Sequence, residues 1–238
     1  MISAPATEDA DLAAANRFLE DAAAEDVLSW TLDSYGPGVA FSCSFGGPSG
    51  IVILDMLARS GRLSEVEVYY LDTGLLFDET HQVRRELGRR YGFEAAVYVP
   101  SLSLDEQAAK HGDKLWEREP DVCCGIRRVL PNVEALSGKR AWITGIRRDQ
   151  SSTRASTPVA QWDSRFGLAK VAPLATWSEE QIWDYIRRFD VPYNRLHDAG
   201  YPSLGCTVCT TAVDNGEDRR AGRWRGVDKL ECGLHWRI

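Results

Sequence analysis

Four short runs of apolar, β-branched and aromatic residues stand out along the chain: Val39-Ala-Phe-Ser-Cys43, Val66-Glu-Val-Tyr-Tyr-Leu71, Glu94 to Val99 and Arg140-Ala-Trp-Ile-Thr144. Each is too short for a stable helix and reads as a strand. Around them the apolar residues recur at helical spacing instead. Ala6 to Tyr35, rich in Ala with Leu, Phe and Trp interspersed, predicts one or two N-terminal helices. Ile51 to Ala58 and about Asp78 to Tyr91 predict two more. Trp177-Ser178-Glu179-Glu180 opens a further helix with Ser178 as its N-cap, where a short hydroxyl can accept from the unpaired N–H groups of the first turn. Strands alternating with helices at this spacing predict an α/β fold with a doubly wound, mainly parallel sheet. Past Asp190 the periodicity fades into a tail rich in Gly, Arg and Cys, with no internal repeat or low-complexity linker on the way. The simplest division is a helical segment at 1–35, an α/β domain at 36–215 and a functional C-terminal tail at 216–238.

Composition narrows the class. With 238 residues, 44% apolar and 26% charged, the chain can bury a full core and has no apolar stretch long enough to cross a membrane. The start, Met-Ile-Ser-Ala-Pro-Ala-Thr-Glu-Asp, has neither a basic nor an apolar segment of a secretory signal, so the expected location is the cytoplasm. In that reducing compartment paired cysteines are more often metal ligands or catalytic groups than disulfides. A net charge of −7 argues against a general nucleic-acid binder. Arginine is nevertheless concentrated in two loops, Arg147, Arg148 and Arg154 in one and Arg219, Arg220, Arg223 and Arg225 in the other. Such clusters are either solvated surface or cations gathered around a small polyanion.

Ligands of doubly wound folds sit at the carboxyl ends of the strands, where the loops 44–50, 72–78 and 145–154 are expected. The first begins Ser44-Phe45-Gly46-Gly47, a turn whose glycines let backbone N–H groups approach an anion at a helix N-terminus. It is not a Walker A loop, and taken alone it is a common α/β turn.

The six cysteines say more. Cys123 and Cys124 are adjacent, Cys206 and Cys209 form a C-x-x-C, and Cys232 stands apart in Lys229-Leu-Glu-Cys-Gly-Leu-His235. The C-x-x-C could be half of a zinc site, a redox dithiol or half of a cluster site. Structural zinc sites usually use spaced pairs, so an adjacent pair favours a [4Fe–4S] cluster over a zinc ribbon. The competing reading is a buried pair with Cys206 and Cys209 as a redox dithiol. Cys232, beside Gly233 near the terminus, could swing on a mobile tail between a buried substrate and an external reductant. Cys43 has no evident role. His197 reads as a structural or capping histidine, His81 and His111 as helix residues, and the tryptophans mostly as core.

Taken together, Ser44-Phe-Gly-Gly, Leu71-Asp-Thr-Gly-Leu-Leu-Phe77, Cys123-Cys124, Trp142-Ile-Thr-Gly-Ile-Arg-Arg148, Gly200-Tyr-Pro-Ser-Leu-Gly-Cys-Thr-Val-Cys209, Gly216-Glu-Asp-Arg-Arg-Ala-Gly-Arg-Trp224 and Glu231-Cys-Gly-Leu-His235 closely resemble the assimilatory adenylyl-sulfate reductases, within the phosphoadenylyl-sulfate reductase family. The likeness runs in matching order from Phe41 to His235. It implies an adenine-nucleotide alpha-hydrolase-like fold with a mobile C-terminal tail. It also implies a [4Fe–4S] cluster on Cys123, Cys124, Cys206 and Cys209, Cys232 as nucleophile, and thioredoxin or glutaredoxin as reductant. Relatives without the four cysteines typically reduce the 3′-phosphorylated substrate (PAPS), so their presence points to adenosine 5′-phosphosulfate (APS). Carried over residue by residue, substrate contacts fall on Ser44, Phe45, Gly46 and Gly47; on Leu71, Asp72, Thr73 and Gly74; and on Arg128, Gly145, Arg147, Arg148, Arg220, Arg223 and His235. A homo-oligomer is possible within this family.

Two positions depart from the pattern. Arg128 stands where the family usually has lysine, which keeps the charge but changes the donor geometry. The turn Ser44-Phe-Gly-Gly-Pro-Ser-Gly50 lacks the acidic pair many relatives carry.

In the mechanism the resemblance implies, the Cys232 thiolate attacks the sulfate sulfur and expels AMP, and a thiol then releases sulfite. Lowering a thiol pKa from ~8.5 to ~6.5 raises the thiolate fraction roughly 25-fold at pH 7 but costs roughly 8-fold in nucleophilicity. Positioning and charge cancellation must therefore do most of the work. Two other classes stay open, an ATP-dependent iron–sulfur tRNA sulfur transferase and a non-enzymatic zinc module, besides PAPS as the alternative substrate.

Overall fold

The protein is described by a computed structural model covering residues 9–235; the start of the expected N-terminal helix at Ala6 and the last tryptophan, Trp236, lie outside the described residues. Six strands form one sheet in the order β3-β2-β1-β4-β6-β5. They are β1 (Val39–Ser42), β2 (Glu67–Leu71), β3 (Ala96–Tyr98), β4 (Ala141–Ile143), β5 (Ala160–Asp163) and β6 (Leu168–Val171). All neighbours are parallel except β5, which runs antiparallel to β6. The four strands expected from the apolar runs are β1 to β4, and the sheet is mainly parallel as expected. The β5–β6 hairpin was not read from sequence. Its strands have four residues each, and its turn is marked only by Gly167, at φ 65°.

Strand residues divide between two cores with a period of two, as pleated geometry requires. Val39 and Phe41 of β1, Val68 and Tyr70 of β2, and Ala141 and Ile143 of β4 face one core. There they pack with α1 (Asp9–Leu19), α2 (Ala24–Tyr35), α3 (Pro48–Arg59), α4 (Asp78–Tyr91) and α9 (Glu179–Phe189). Ala40, Tyr69, Trp142 and Leu168 face the other core, closed by α8 (Leu130–Leu136). A sheet covered on both faces is why its strands read as short continuous apolar runs and not as alternation. The principal core draws on Leu12 and Leu19 of the N-terminal helical segment as well as on the α/β domain.

The expected helix over 78–91 is α4, which ends at Gly92 in the left-handed conformation. Ser178 caps α9 as its sequence predicted: its Oγ accepts from Gln181 N at 3.2 Å, and Gln181 Oε1 accepts from Ser178 N at 2.7 Å. Most of the described tryptophans belong to the core as expected: Trp142 and Trp224 are buried, and Trp30, Trp162, Trp177 and Trp183 pack half-buried against the principal core, a ring this large being easily left with one edge in water.

Chain order reverses between β1, whose successor β2 lies on one side, and β4, which lies on the other. Side chains and loops diverge above such a switch point and leave a crevice. The main cleft opens there, lined by Ser42 to Ser44 after β1 and by Gly145 to Arg147 after β4.

Candidate active site

The cleft has a glycine-rich side, an arginine-rich side and a lid made by the C-terminal tail. On the first side, Ser44 and Gly47 form a turn in which Gly47 N donates to Ser44 Oγ at 3.3 Å, and Pro48 then starts α3. Pro at this position loses nothing, since its N–H would be unpaired in any case. Gly145 faces this turn. A Cβ there would stand 3.0 Å from Gly50 N, so the loop after β4 can lie against the first turn of α3 only without a side chain. Arg147 crosses the gap and donates to Ser49 Oγ at 2.5 Å, held from behind by Asp149 at 2.9 Å.

Cys232 is buried in the lid, 7% exposed, and packs with Cys124, Trp224 and Leu234. Burial alone would push its thiol up. The Arg128 guanidinium, which hydrogen-bonds its sulfur, overrides that, with Leu234 N–H and Arg223 assisting and Glu231 opposing, and the thiol is held below its usual range. Three of the other thiols go the opposite way. Burial pushes Cys43 up to about 12, Cys124 up to about 12 and Cys209 up to about 11. Cys43 sits at the floor of the cleft below the turn.

Two cations mark the anion side. Among the described residues most arginines of the two clusters pair with carboxylates: Arg147 with Asp149, Arg148 with Glu20, Arg154 and Arg220 with Glu231, Arg219 with Glu179, Arg225 with Glu217. Among the described residues Arg128 and Arg223 have no carboxylate within ion-pair range, and the buried Nε of each makes no hydrogen bond there. Burial and the neighbouring Arg128 and Arg220 charges pull Arg223 down to about 10. Its guanidinium lies 4.4 Å over the Trp224 ring and donates to Leu204 O at 3.2 Å. Two neighbouring cations, Arg223 buried and Arg128 half-buried, with no carboxylate of the described residues between them, leave positive charge open to an anion.

The tail is gripped along its length. Glu231 accepts from Arg154 Nε at 2.8 Å and Nη2 at 2.7 Å, and Arg165 donates to Gly233 O and Leu234 O, each at 2.8 Å. The His235 ring stacks on Trp142 with centroids 5.4 Å apart.

The cleft therefore gathers Ser44, Gly47, Leu71, Arg128, Gly145, Arg147, Arg220, Arg223, Cys232 and His235 of the expected site residues. Others point elsewhere. Phe45, at φ 54°, turns its ring into the core against Tyr70. The Gly46 carbonyl bonds His197 Nε2 at 2.9 Å, which gives that histidine the structural role its sequence suggested. Arg148, which follows the extended, inward-facing Arg147 and starts a 3-10 turn, points away and holds Glu20 at 2.7 Å. Asp72, Thr73 and Gly74 form a tight turn, Gly74 N on Asp72 Oδ1 at 3.0 Å, that leans on the cysteines instead: Thr73 Oγ1 lies 3.3 Å from Cys206 Sγ. Sequence reasoning gave Arg154 only as one of a cluster and Trp142 and Glu231 only as motif members, and it missed Arg165.

Cys123 and Cys124 end α7 (Pro120–Cys124), where a π turn over Gly125–Val129 brings Arg127 and Arg128 inward. The four cysteines meet here. Cys206 interacts electrostatically with Cys123, Cys124 and Cys209, and Gln107 Nε2 and Arg127 border Cys123. Among the described residues no three potential ligands converge tightly enough for a single metal ion. Four thiols are the donor set an iron–sulfur cluster would take, and its core would also supply the charge that partly buried thiolates lack.

Fold and cleft define a doubly wound α/β protein with a buried thiol and an arginine-lined cleft at its switch point. A profile of the phosphoadenosine phosphosulfate reductase domain matches residues 38–212. The adenosine 5'-phosphosulfate reductase of Bacillus velezensis is 47% identical over 210 residues, covering 88% of this chain and 89% of its own. That of Salinibacter ruber is 45% identical over 227 residues, covering 94% and 88%. The crystal structure of phosphoadenylyl-sulfate (PAPS) reductase from Candida auris, a phosphate complex, superposes with a TM-score of 0.73 at 31% identity, over 84% of this chain and 96% of that one. Candida glabrata FMN adenylyltransferase, at 16% identity and a TM-score of 0.56 over 87% of this chain and 66% of its own, shares the fold alone. The chain belongs to the phosphoadenosine phosphosulfate reductase family. Among the described residues no helix is long and apolar enough to cross a membrane.

Proposed function

We propose that the protein reduces adenosine 5′-phosphosulfate to sulfite and AMP, in assimilatory sulfate reduction, through an S-sulfocysteine on Cys232. The observation that carries this reading is Cys232 itself, buried and lowered in pKa beside Arg128 and Arg223, two cations without a carboxylate partner among the described residues. The names of the relatives that match most of the chain favour APS.

The glycine-rich turn and Arg147 would hold the phosphosulfate, with the nucleoside along Leu71. The thiolate attacks the sulfate sulfur in line, the S–O bond to phosphate breaks, and AMP leaves with the electron pair. Arg128 and Arg223 balance the charge that the two anions bring together, the largest contribution this site can make. A dithiol, thioredoxin or glutaredoxin, then attacks the Cys232 sulfur. Sulfite departs, and the second thiol of the donor resolves the mixed disulfide, so the donor is oxidised by two electrons and Cys232 returns as a thiol. The tail must lift for that step, since Cys232 is enclosed when seated. Cys123, Cys124, Cys206 and Cys209 would hold a [4Fe–4S] cluster, which supplies charge and ties α7 to the segment at 206–209.

Anaerobic protein mixed with APS, and separately with PAPS, in the absence of any thiol donor tests this by intact mass. An SO₃ adduct mapping to Cys232 with APS is expected. The same adduct with PAPS alone reverses the substrate. No adduct with either from iron-loaded protein removes the covalent mechanism.

A further inference from the structure

The carboxylate next to the nucleophile in the chain is misplaced for activating it. Glu231 precedes Cys232, is 4% exposed, and its negative charge opposes ionisation of the thiol. Its hydrogen bonds explain why it is there. Oε1 accepts from Arg154 Nε at 2.8 Å and from Thr153 Oγ1 at 3.2 Å; Oε2 accepts from Arg154 Nη2 at 2.7 Å and from Arg220 Nη2 at 3.3 Å. Arg154 belongs to the loop after β4 and Arg220 to the tail, so one carboxylate fastens the tail to the sheet end. Arg220 Nη2 also donates to Leu230 O at 2.7 Å, which fixes the residue before Glu231.

We propose that Glu231 is the positioning residue for Cys232: pairing with Arg154 and Arg220 seats the tail with the thiol between Arg128 and Arg223, and breaking that pairing is the step that hands the thiol to an external donor. The proposal rests on Cys232 being the nucleophile. Two observations make the pairing a latch. It is bidentate and buried, hence strong when made. It also joins segments 77 residues apart through side chains alone, so it can open without unfolding either. Without the carboxylate, Arg154 and Arg220 would face each other as like charges, which drives the tail off the sheet.

The test compares wild type with Glu231→Gln and Arg154→Met, as full chains of matched iron content. Removing Glu231 also favours the thiolate, so the readout is a ratio: the rate of Cys232 modification by a bulky polyethylene-glycol maleimide over that by iodoacetamide, mapped by mass spectrometry. Thiolate content moves both rates together, and tail opening raises the ratio. An increase of about tenfold or more is expected in either variant. The two half-reactions should then separate. S-sulfonation by APS slows because the thiol is out of place, while reduction of preformed S-sulfo-Cys232 by a dithiol speeds up. A general packing defect would slow both. Arg154→Met carries the test if Glu231→Gln does not fold. An unchanged ratio in a folded variant, or a parallel loss of both half-reactions, overturns the proposal. A raised ratio in the variants together with no adduct from APS in wild type leaves Glu231 as the tail's latch and removes the reductase reading instead.

Discussion

Replacing Arg223 by methionine should cost the protein function while costing it little stability. Arg223 is buried among Arg128 and Arg220 without a carboxylate of the described residues, and its pKa falls from the roughly 12.5 of a free arginine to about 10. That depression corresponds to about 3 kcal/mol against keeping the charge in the folded state. The unfolded chain binds this proton more tightly, so stability rises with pH only above about 10, and at neutral pH the full penalty is present. Methionine keeps the stem and removes the penalty. It also loses the guanidinium over Trp224 at 4.4 Å, worth ~1–2 kcal/mol, and the charged hydrogen bond to Leu204 O at 3.2 Å, worth ~1.5–3 kcal/mol. The balance runs from near zero to about 2 kcal/mol against the variant. Toward an anionic substrate the sign reverses, because a lost charged hydrogen bond of ~1.5–3 kcal/mol lowers kcat/KM by roughly ten- to a hundredfold. Urea unfolding at matched iron content and single-turnover S-sulfonation by APS measure the two halves. A destabilisation above about 2 kcal/mol, or an unchanged S-sulfonation rate, would refute the reading of Arg223 as a cation held for the substrate.

Three further outcomes follow from the same geometry. In Gly205→Ala the new Cβ would collide with the Arg223 guanidinium, so S-sulfonation should fall about tenfold or more while urea stability moves by less than ~1 kcal/mol. Ser178→Ala removes the capping bond at the start of α9, remote from the cleft, and should cost about 1 kcal/mol in urea with S-sulfonation unchanged. Burial, with Lys170, Arg154, Arg128 and Arg165 nearby, holds the His235 pKa well below the usual histidine range. The released tail therefore takes up a proton near pH ~6.5 that the seated tail refuses, and seating weakens as pH falls through that value. Hydrogen exchange of residues 229–235, corrected for intrinsic rate, should be faster at pH 5.5 than at 7.5, and His235→Phe should abolish the difference.

Local pattern was enough for the frame of this protein. The runs at Val39, Val66, Glu94 and Arg140 could be strands only, because apolar residues so few and so β-branched cannot make a helix, and Ser178 with Gln181 caps α9 through bonds between near neighbours. The lone Cys232 and the two cysteine pairs were legible because thiols are rare and their spacing is chemical information in itself. What sequence could not assign was the division of labour among the arginines. Arg147 and Arg148 are adjacent and chemically identical, yet one enters the cleft and the other holds Glu20, since the chain is extended at Arg147 and starts a 3-10 turn at Arg148. Arg154, Arg220 and Arg223 share two loops, but only the fold decides that Glu231 claims the first two and leaves the third, with Arg128, beside the thiol without a carboxylate partner among the described residues. The same holds for Leu71 to Gly74, where Leu71 lines the cleft and Thr73 turns to Cys206. Secondary structure is set by neighbours in the chain, whereas charge pairing is set by neighbours in space, and those are 77 residues apart for Glu231 and Arg154.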